Sequence, residues 1–410
     1  MFNRRRFNFR KIITIKNTCI LVATFAVVFF TVSMITATAL RKKVAKSTIV
    51  YSEEKNQSND EVAKAQAENS STNTSNENNI DEETTEKEVF ANISEEKKET
   101  SGISLNILGE IMMGGKVGSN LNYNYSEGIK EIYSLARISD FTYANFSTNI
   151  TNLEAIQNPK SKYIVTKNIT GALEALGLDA VTIASDHIID FPSDVLKSTI
   201  STLESSNIFV AGRENTPVYF EKDGKKIAIV STNSVIIGTA KNYTNNEISV
   251  YTKDNLKKNI EEAKEAADVV IADIHWGRDT TYGVTNQMRE IAKGAIDSGA
   301  DMVIGSHALG VYPITKYKDK PIIYSTGYLM TDLDYTVAKE GFIFTIEVNK
   351  DMKITSLEMT PTYIFDKKQV MLYNEYDSEK SNEYLKQFNN WNVENGFDSK
   401  ILNNKIVINF

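Results

Sequence analysis

Seven short runs of apolar and β-branched residues recur between residues 103 and 348, and they constrain the fold more than any other feature of the chain. Their length and composition are typical of buried strands. The runs are ISLNILG (103–109), DAVTIA (179–184), KIAIVS (226–231), DVVIADIH (268–275), DMVIGSH (301–307), PIIYSTG (321–327) and FIFTIEV (342–348). Segments between them, such as Asn255 to Ala267 and Asn286 to Ser298, space their apolar residues at helical intervals. Strands that alternate with helices predict an α/β domain with a buried sheet.

The amino-terminal region has a different character. Thr18 to Leu40 form a stretch of 23 residues without a charge, which is long enough for a helix to cross the hydrocarbon core of a bilayer. Six basic residues precede the stretch and four follow it, which narrowly favours a cytoplasmic amino terminus. We therefore predict a basic cytoplasmic tail over 1–17, a transmembrane helix over 18–40 and a single-pass cell-membrane protein whose bulk is extracytoplasmic. The alternative is a cleaved signal peptide, suggested by Ala37-Thr38-Ala39, which would also export the body.

The segment that follows is acidic and poor in apolar residues. Residues 51–100 carry 14 Asp and Glu against five Lys, and such a composition buries too little surface to repay the entropy of ordering. We predict a disordered acidic linker over 41–100, a folded domain over 101–362 and a carboxyl-terminal extension over 363–410, with helix and a closing strand, KIVINF.

Charge and cysteine content exclude some classes of function. The net charge of −7 gives no reason to expect nucleic acid as a partner. The single cysteine, Cys19, lies in the apolar segment. The exported part therefore has neither a disulfide nor a thiol nucleophile.

All three histidines of the chain stand at or just after the end of a predicted strand. They are His187 in IASDHIIDF, His275 in ADIHWGRD and His307 in VIGSHALG, and two carboxylates, Glu110 and Asp186, occupy similar positions. Because ligands gather beyond the carboxyl ends of strands in open α/β sheets, we predict that these five side chains line one pocket. Imidazole combined with carboxylate suits Mn, Fe or Zn, and two such metals would polarise a phosphate or amide and activate water. The alternative for each histidine is a local hydrogen bond that supports a turn.

Two neighbours of His275 are candidates for ligand contact. Trp276 could stack on a ligand or pack in the core. Arg278, on a predicted loop, could pair with a carboxylate or a phosphate, or remain solvated.

Six segments of the body share their order and residues with one protein family. They are GEIMMGG, ISDFTYANFST, GLDAVTIASDHIIDF, HWGRD, IDSGADMVIGSHALGVYPI and PIIYSTGYL, and the match runs from about Ile103 to Pro361. Together they resemble the capsule biosynthesis proteins of the CapA type, which are associated with poly-γ-glutamate synthesis and export. The resemblance implies an α/β fold of the calcineurin-like metallophosphoesterase type, a sandwich with a metal site at its strand ends, in a membrane-anchored extracytoplasmic protein.

The resemblance also implies roles for individual residues. His187 takes the position of a proton donor. The implied metal ligands are Glu110, Asp186, His275 and His307. The candidates for substrate binding are Asn145, Trp276 and Arg278.

Several positions depart from the family's pattern. Its first Asp is Glu110 here, its Asn-Asn-His reads Ser185-Asp186-His187, and its Asn-Leu-Glu reads Asn145-Phe146-Ser147. Its Gly-His-His-Pro-His reads Gly305-Ser306-His307-Ala308-Leu309. Ser147 and Leu309 each remove a ligand of a two-metal site, which leaves one divalent metal (Mn, Fe or Zn) on the four implied ligands as the remaining arrangement.

The function implied by the resemblance is accessory: synthesis, export or anchoring of poly-γ-glutamate or a similar anionic polymer, with the membrane and a synthase or export complex as partners. One alternative is an active metal-dependent hydrolase of phosphoester or amide bonds. Another is a general phosphoesterase unrelated to capsule. Loss of catalysis with retention of the fold also stays open, because fold and chemistry are separable.

Overall fold

Two large β-sheets pack face to face in the computed structural model of this chain. The structure describes residues 46–50, 102–151, 163–235, 247–278 and 283–410. Among these residues, Thr48–Phe410 belong to one compact unit. None of the helices described is long and apolar enough to cross a membrane. The predicted tail over 1–17 and transmembrane helix over 18–40 lie outside the described residues.

Strands account for most of the regular structure. The first ten are β1 (Thr48–Val50), β2 (Ile103–Ile107), β3 (Glu110–Ile111), β4 (Phe141–Asn145), β5 (Asn149–Thr151), β6 (Ile164–Thr166), β7 (Ala180–Thr182), β8 (Phe209–Ala211), β9 (Val218–Lys222) and β10 (Lys225–Asn233). The others are β11 (Val269–His275), β12 (Met302–Ser306), β13 (Thr315–Tyr317), β14 (Lys320–Ile323), β15 (Tyr328–Met330), β16 (Glu340–Val348), β17 (Ile354–Phe365), β18 (Gln369–Leu372), β19 (Asp398–Leu402) and β20 (Lys405–Asn409).

The helices are mostly short. They are α1 (Gly115–Asn120), α2 (Tyr133–Ala136), α3 (Ile169–Ala175), α4 (Ser193–Ser205), α5 (Lys253–Lys264), α6 (Asn286–Asp297), α7 (Thr336–Lys339), α8 (Tyr373–Tyr376) and α9 (Ser378–Glu394). Threonine caps begin the two amphipathic helices predicted from the sequence, since Thr252 accepts from the Asn255 N–H and Thr285 from the Met288 N–H.

Each large sheet contains a block of parallel strands. The seven-stranded sheet has the order β1-β9-β10-β11-β12-β14-β13, in which β10, β11, β12 and β14 are parallel. The nine-stranded sheet has the order β19-β20-β17-β16-β2-β4-β7-β8, with β18 paired to β17, and β2, β4, β7 and β8 are parallel. The parallel pair β3 and β15 forms one of two small sheets.

The core lies in and around the space between the sheets. Apolar side chains of both sheets meet there, among them Leu105 and Phe141 from one sheet and Ile229 and Ile271 from the other. Helix α4 contacts β8 of the nine-stranded sheet, and α5 and α6 contact β10, β11 and β12 of the other sheet. The layers are therefore helix, sheet, sheet, helix.

The predicted α/β architecture is confirmed, and all seven apolar runs contain strands. Residues 48–50, which fall inside the segment predicted to be linker, form β1 and pair in parallel with β9. The other residues of that segment, apart from 46 and 47, lie outside the described part of the chain. The extension over 363–410 contains α9 and the closing strand β20, but β18 and β20 pair with β17, so they belong to the same sheet as the domain.

Candidate functional site

Polar residues collect where the parallel strands of the two sheets end. Asn145 ends β4 and Asp186 follows β7 in the nine-stranded sheet, whereas His275 ends β11 and His307 follows β12 in the seven-stranded sheet. Side chains from the two sheets meet across this end of the sandwich, since His275 Nε2 lies 2.9 Å from Asp186 Oδ1. The predicted convergence of strand ends is thus present for these residues.

Three of the predicted metal ligands form a buried group, called here the Asp-His-His cluster: Asp186, His275 and His307. His307 Nδ1 lies 3.6 Å from the same Asp186 oxygen that contacts His275. The two imidazole rings are 4.8 Å apart between centroids. One ligand atom from each residue lies within 4.8 Å of the others, so one carboxylate oxygen and two imidazole nitrogens are close enough together to hold one ion.

A chain of hydrogen bonds orients His275 from the side opposite Asp186. His275 Nδ1 lies 2.9 Å from Ser306 Oγ and 3.2 Å from Asn145 Nδ2. Asn145 Nδ2 also donates to Ser306 Oγ at 2.6 Å, and Ser147 Oγ donates to Asn145 Oδ1 at 2.8 Å. Ser306, at a histidine position of the family's pattern, and Ser147, at its glutamate position, therefore both support His275. Asn145, predicted to bind substrate, is buried within this chain of contacts.

His307 has an uncommon backbone conformation with a φ of +75°, which costs about 1–2 kcal/mol for a residue that has a Cβ. Glu110 contributes to holding it, because Glu110 Oε2 accepts from the His307 backbone N–H at 3.2 Å. Glu110 is in turn fixed by the pairing of β3 with β15. Glu110 does not belong to the Asp-His-His cluster. Its hydrogen bond with the His307 backbone supports the loop that carries His307.

Gly305 allows strand β12 to pass close to Trp276. A Cβ at Gly305 would lie 2.3 Å from Trp276 Nε1. Trp276 is 1% exposed and donates from Nε1 to Tyr324 O at 2.8 Å. The indole is thus enclosed by the core in this structure, which is the second of the two roles considered for Trp276; its contact with a ligand stays a prediction.

Arg278 and Leu309 do not belong to the Asp-His-His cluster. The Arg278 side chain is exposed. Leu309, at a position where the family's pattern has histidine, is buried in the apolar core. Neither contributes a ligand atom to the Asp-His-His cluster.

His187 lies beside the cluster and is the most exposed of the three histidines, with 18% of its side chain accessible. Its Nδ1 is 3.0 Å from Asp190 Oδ2, and its Nε2 is 3.4 Å from Asp186 Oδ2. The Tyr163 ring stacks on it with a centroid separation of 3.4 Å. Burial would lower the pKa of His187, but the hydrogen bond to Asp190 and the charges of Asp186 and Asp190 outweigh burial and raise it.

The electrostatics of Asp186 follow from the surrounding histidines. Burial would raise the pKa of this carboxyl, but the hydrogen bond from His275 and the charges of the three histidines hold its pKa below the ordinary value. Its Oδ2 is buried and makes no hydrogen bond to a described residue. A buried carboxylate whose Oδ2 has only the 3.4 Å contact with His187 Nε2 is a natural position for a cation.

Some residues of the site were missed by the sequence reasoning. Asp190 could have been found, because it lies one helical turn after His187 in HIID. Tyr143, Ser231 and Asp273 form a hydrogen-bonded group in the interior, with Tyr143 Oη 2.6 Å from Asp273 Oδ2. Burial raises the pKa of Asp273 to about 6, although the hydrogen bonds from Tyr143 and Ser231 oppose it.

The donor set fits one divalent metal. A carboxylate with two imidazoles, leaving open positions, is a ligand set of transition metals and zinc. No second group of three such residues occurs in the part of the chain that the structure describes. The cluster could therefore hold one ion with Asp186, His275 and His307.

The fold and the cluster define this chain as an α/β sandwich protein with a candidate metal site at its strand ends. The sequence model of one protein family, described as bacterial capsule synthesis protein PGA_cap, matches residues 104–332. These residues are more than half of the chain. The chain belongs to this family, and the resemblance inferred from its sequence segments is confirmed.

Individual relatives and solved structures are similar to this chain at low identity. The PGA biosynthesis protein CapA of Bacillus subtilis is 25% identical over 280 residues, which are 64% of this chain and 72% of the relative. The capsule biosynthesis protein CapA of Bacillus anthracis is 23% identical over 287 residues, 65% of this chain and 69% of the relative. The NAD nucleotidase of Haemophilus influenzae superimposes with a TM-score of 0.37 and 12% identity, covering 70% of this chain and 63% of that one.

Proposed function

We propose that this chain is an accessory protein in the synthesis, export or anchoring of an anionic capsule polymer, with γ-linked polyglutamate as the first candidate. The family match over residues 104–332 carries the proposal. The names of the two Bacillus relatives, a PGA biosynthesis protein and a capsule biosynthesis protein, support it. The partners are then the polymer or its synthase and export complex.

The same proposal includes a membrane anchor with the body outside the cytoplasm. The uncharged stretch from Thr18 to Leu40 supports it. Protease treatment of intact cells would remove the body and leave a short protected fragment. A full-length chain that survives this treatment, but is digested after lysis, would contradict the placement of the body outside the cytoplasm.

At the site, Asp186, His275 and His307 would hold a divalent metal within the metallophosphoesterase-like arrangement implied by the resemblance. Such an ion supplies Lewis acidity towards a phosphoryl or carbonyl oxygen. Ser306 and Asn145 orient His275 through its Nδ1. His187, oriented by Asp190, is the residue suited to give or take a proton at Nε2.

Genetic complementation tests the accessory role. In a polymer-producing host that lacks this chain, the wild-type chain is expected to restore surface polymer, measured by staining and by glutamate content after hydrolysis. His275→Ala, at equal protein level, separates dependence on the cluster from dependence on the fold. Failure of the wild-type chain to restore any polymer would overturn the proposed role.

A second candidate function is metal-dependent hydrolysis of a phosphoester or amide bond. The observation that favours it is His187, which is partly exposed, flanked by Asp186 and Asp190, and adjacent to the Asp-His-His cluster. Turnover of phosphate esters and γ-glutamyl peptides with added Mn, Fe or Zn, lost in His187→Asn, would establish it. No turnover with any of these metals would leave the accessory role without catalysis.

A further inference from the structure

A second polar contact between the sheets lies one step deeper than the Asp-His-His cluster. Tyr143 Oη on β4 donates to Asp273 Oδ2 on β11 at 2.6 Å. Ser231 Oγ on β10 lies 2.8 Å from Tyr143 Oη and 3.2 Å from the same Asp273 oxygen. All three side chains are at least 95% buried, and Tyr143 belongs to the apolar core between the sheets.

Strand register relates this contact to the site. Tyr143 precedes Asn145 by two residues on β4, and Asp273 precedes His275 by two residues on β11. Side chains two apart on a strand share a face. The Tyr143–Asp273 and Asn145–His275 contacts therefore join the same two strands, β4 and β11, at adjacent positions on the facing sides. In the second contact, Asn145 Nδ2 lies 3.2 Å from His275 Nδ1.

A contribution to stability alone does not explain the Tyr143–Asp273 hydrogen bond. A buried carboxylate is costly unless it is fully compensated, and apolar side chains of similar volume often stabilise a core as well or better than a buried polar pair. The apolar core around Tyr143 could accommodate such side chains. The hydroxyl and carboxylate instead fix one distance between β4 and β11 through a short, charge-assisted hydrogen bond.

We infer that Tyr143 and Asp273 are positioning residues that set the separation of β4 from β11 and thereby aim the His275 imidazole at the metal position. The inference rests on the proposed metal-binding function of the cluster. Residues behind metal ligands typically change metal affinity by 10–100-fold when they are replaced. Tyr143 and Asp273 act one layer further back, through Asn145 and His275.

A matched control is available in Tyr219 of β9. Its side chain is 2% exposed, but its neighbours Val218 and Phe220 face the core between the sheets, so Tyr219 faces the opposite side, where the charge of Glu262 on α5 acts on it. Tyr219→Phe removes a buried phenolic hydroxyl of the same kind from the same sheet sandwich, away from the cluster.

The experiment measures Mn²⁺ and Zn²⁺ binding to the full chain in detergent by calorimetry, with Co²⁺ absorption as a report of ligand geometry. Tyr143→Phe is expected to weaken binding about 10-fold and to alter the Co²⁺ spectrum. Tyr219→Phe is expected to leave binding within about two-fold of wild type with an unchanged spectrum. Thermal unfolding without metal shows whether each variant is folded.

The double variant Tyr143→Phe with Asp273→Val keeps the inference testable if the single variant unfolds. It leaves no buried carboxylate without a donor, so its unfolding temperature is expected to equal or exceed that of wild type, while its metal affinity falls about 10-fold or more. Wild-type affinity and an unchanged spectrum in either folded variant would overturn the inference alone. Absence of metal binding by the wild-type chain would overturn the metal site and this inference together.

Discussion

Two largely buried carboxylates, Asp186 and Asp301, lie near strand ends and differ in their partners. Asp301, just before β12, accepts from Lys264 and Lys320 at 2.7 Å each and from the Val270 backbone N–H at 3.0 Å. Asp186, after β7, has histidines as partners, and its Oδ2 makes no hydrogen bond to a described residue.

The difference separates a structural carboxylate from a ligand-binding one. Lysines are permanently charged at neutral pH and cannot bind a metal while protonated, so the partners of Asp301 complete an ion-pair network. Imidazoles are metal ligands when neutral, so the partners of Asp186 are themselves potential ligands. Replacing each carboxylate should therefore affect a different property of the protein.

The largest expected effect is on metal binding by Asp186 variants. Asp186→Ala removes one of three ligands and should lower affinity for Mn²⁺ or Zn²⁺ by at least about 100-fold, beyond the usual effect of a supporting residue. Asp186→Asn keeps a carbonyl oxygen and should retain intermediate affinity. Calorimetry measures both, with Asp301→Ala as the control expected to bind within about two-fold of wild type. Equal metal affinity of wild type and Asp186→Ala would show that Asp186 is not a ligand, and would contradict the distinction between Asp186 and Asp301.

Asp301→Asn should instead lower the free energy of unfolding, by about 2 kcal/mol at pH 7, because two charge-assisted hydrogen bonds are weakened. Burial would raise the pKa of Asp301, but its hydrogen bonds to Lys264 and Lys320 outweigh burial and lower it. A lowered folded-state pKa gives stability that is present above the unfolded pKa of about 4 and is lost as the pH falls below it. Urea unfolding at several pH values should therefore show the variant and wild type converging in acid; a constant difference would contradict the ion-pair account.

Some features of the fold and of the candidate site could be predicted from the sequence, and others could not. The strands before His275 and His307 were predictable because their apolar runs are local patterns, and the carboxyl ends of parallel strands meet at one edge. Pairings such as Tyr143 with Asp273 were not predictable, since the partners are 130 residues apart and only the packing of the two sheets brings them together. The burial of Trp276 was likewise decided by tertiary packing beside Gly305.

Backbone strain at His307, in the Asp-His-His cluster, leads to a prediction with a smaller expected effect. His307 has a φ of +75°, a conformation that glycine adopts without the steric cost of a Cβ. Both His307→Gly and His307→Ala remove the imidazole, so their difference isolates the backbone. His307→Gly should be more stable than His307→Ala by about 1 kcal/mol in urea unfolding. Greater stability of the alanine variant would show that the left-handed conformation is not retained without histidine.

A third carboxylate, Glu347 on β16, extends the comparison to a group near other acids. Burial raises its pKa to about 7, helped by the charges of Glu358 and Asp140. Because a raised folded-state pKa favours the protonated form, Glu347 reduces stability increasingly as the pH rises from about 4.5 to 7. Glu347→Gln should therefore stabilise the protein at pH 8 by about 1 kcal/mol, a figure reduced for solvent screening of a partly exposed side chain.

The measurement for Glu347 is urea unfolding of wild type and Glu347→Gln between pH 4.5 and pH 8. The stability difference should vanish near pH 4.5, where wild-type Glu347 is protonated in the folded state, and should have the opposite sign to that of Asp301→Asn at neutral pH. A destabilised Glu347→Gln at pH 8 would mean that Lys222 and Lys405, which lower the pKa of this carboxyl, outweigh its burial. Glu347 would then belong with Asp301 as a carboxylate stabilised by lysines.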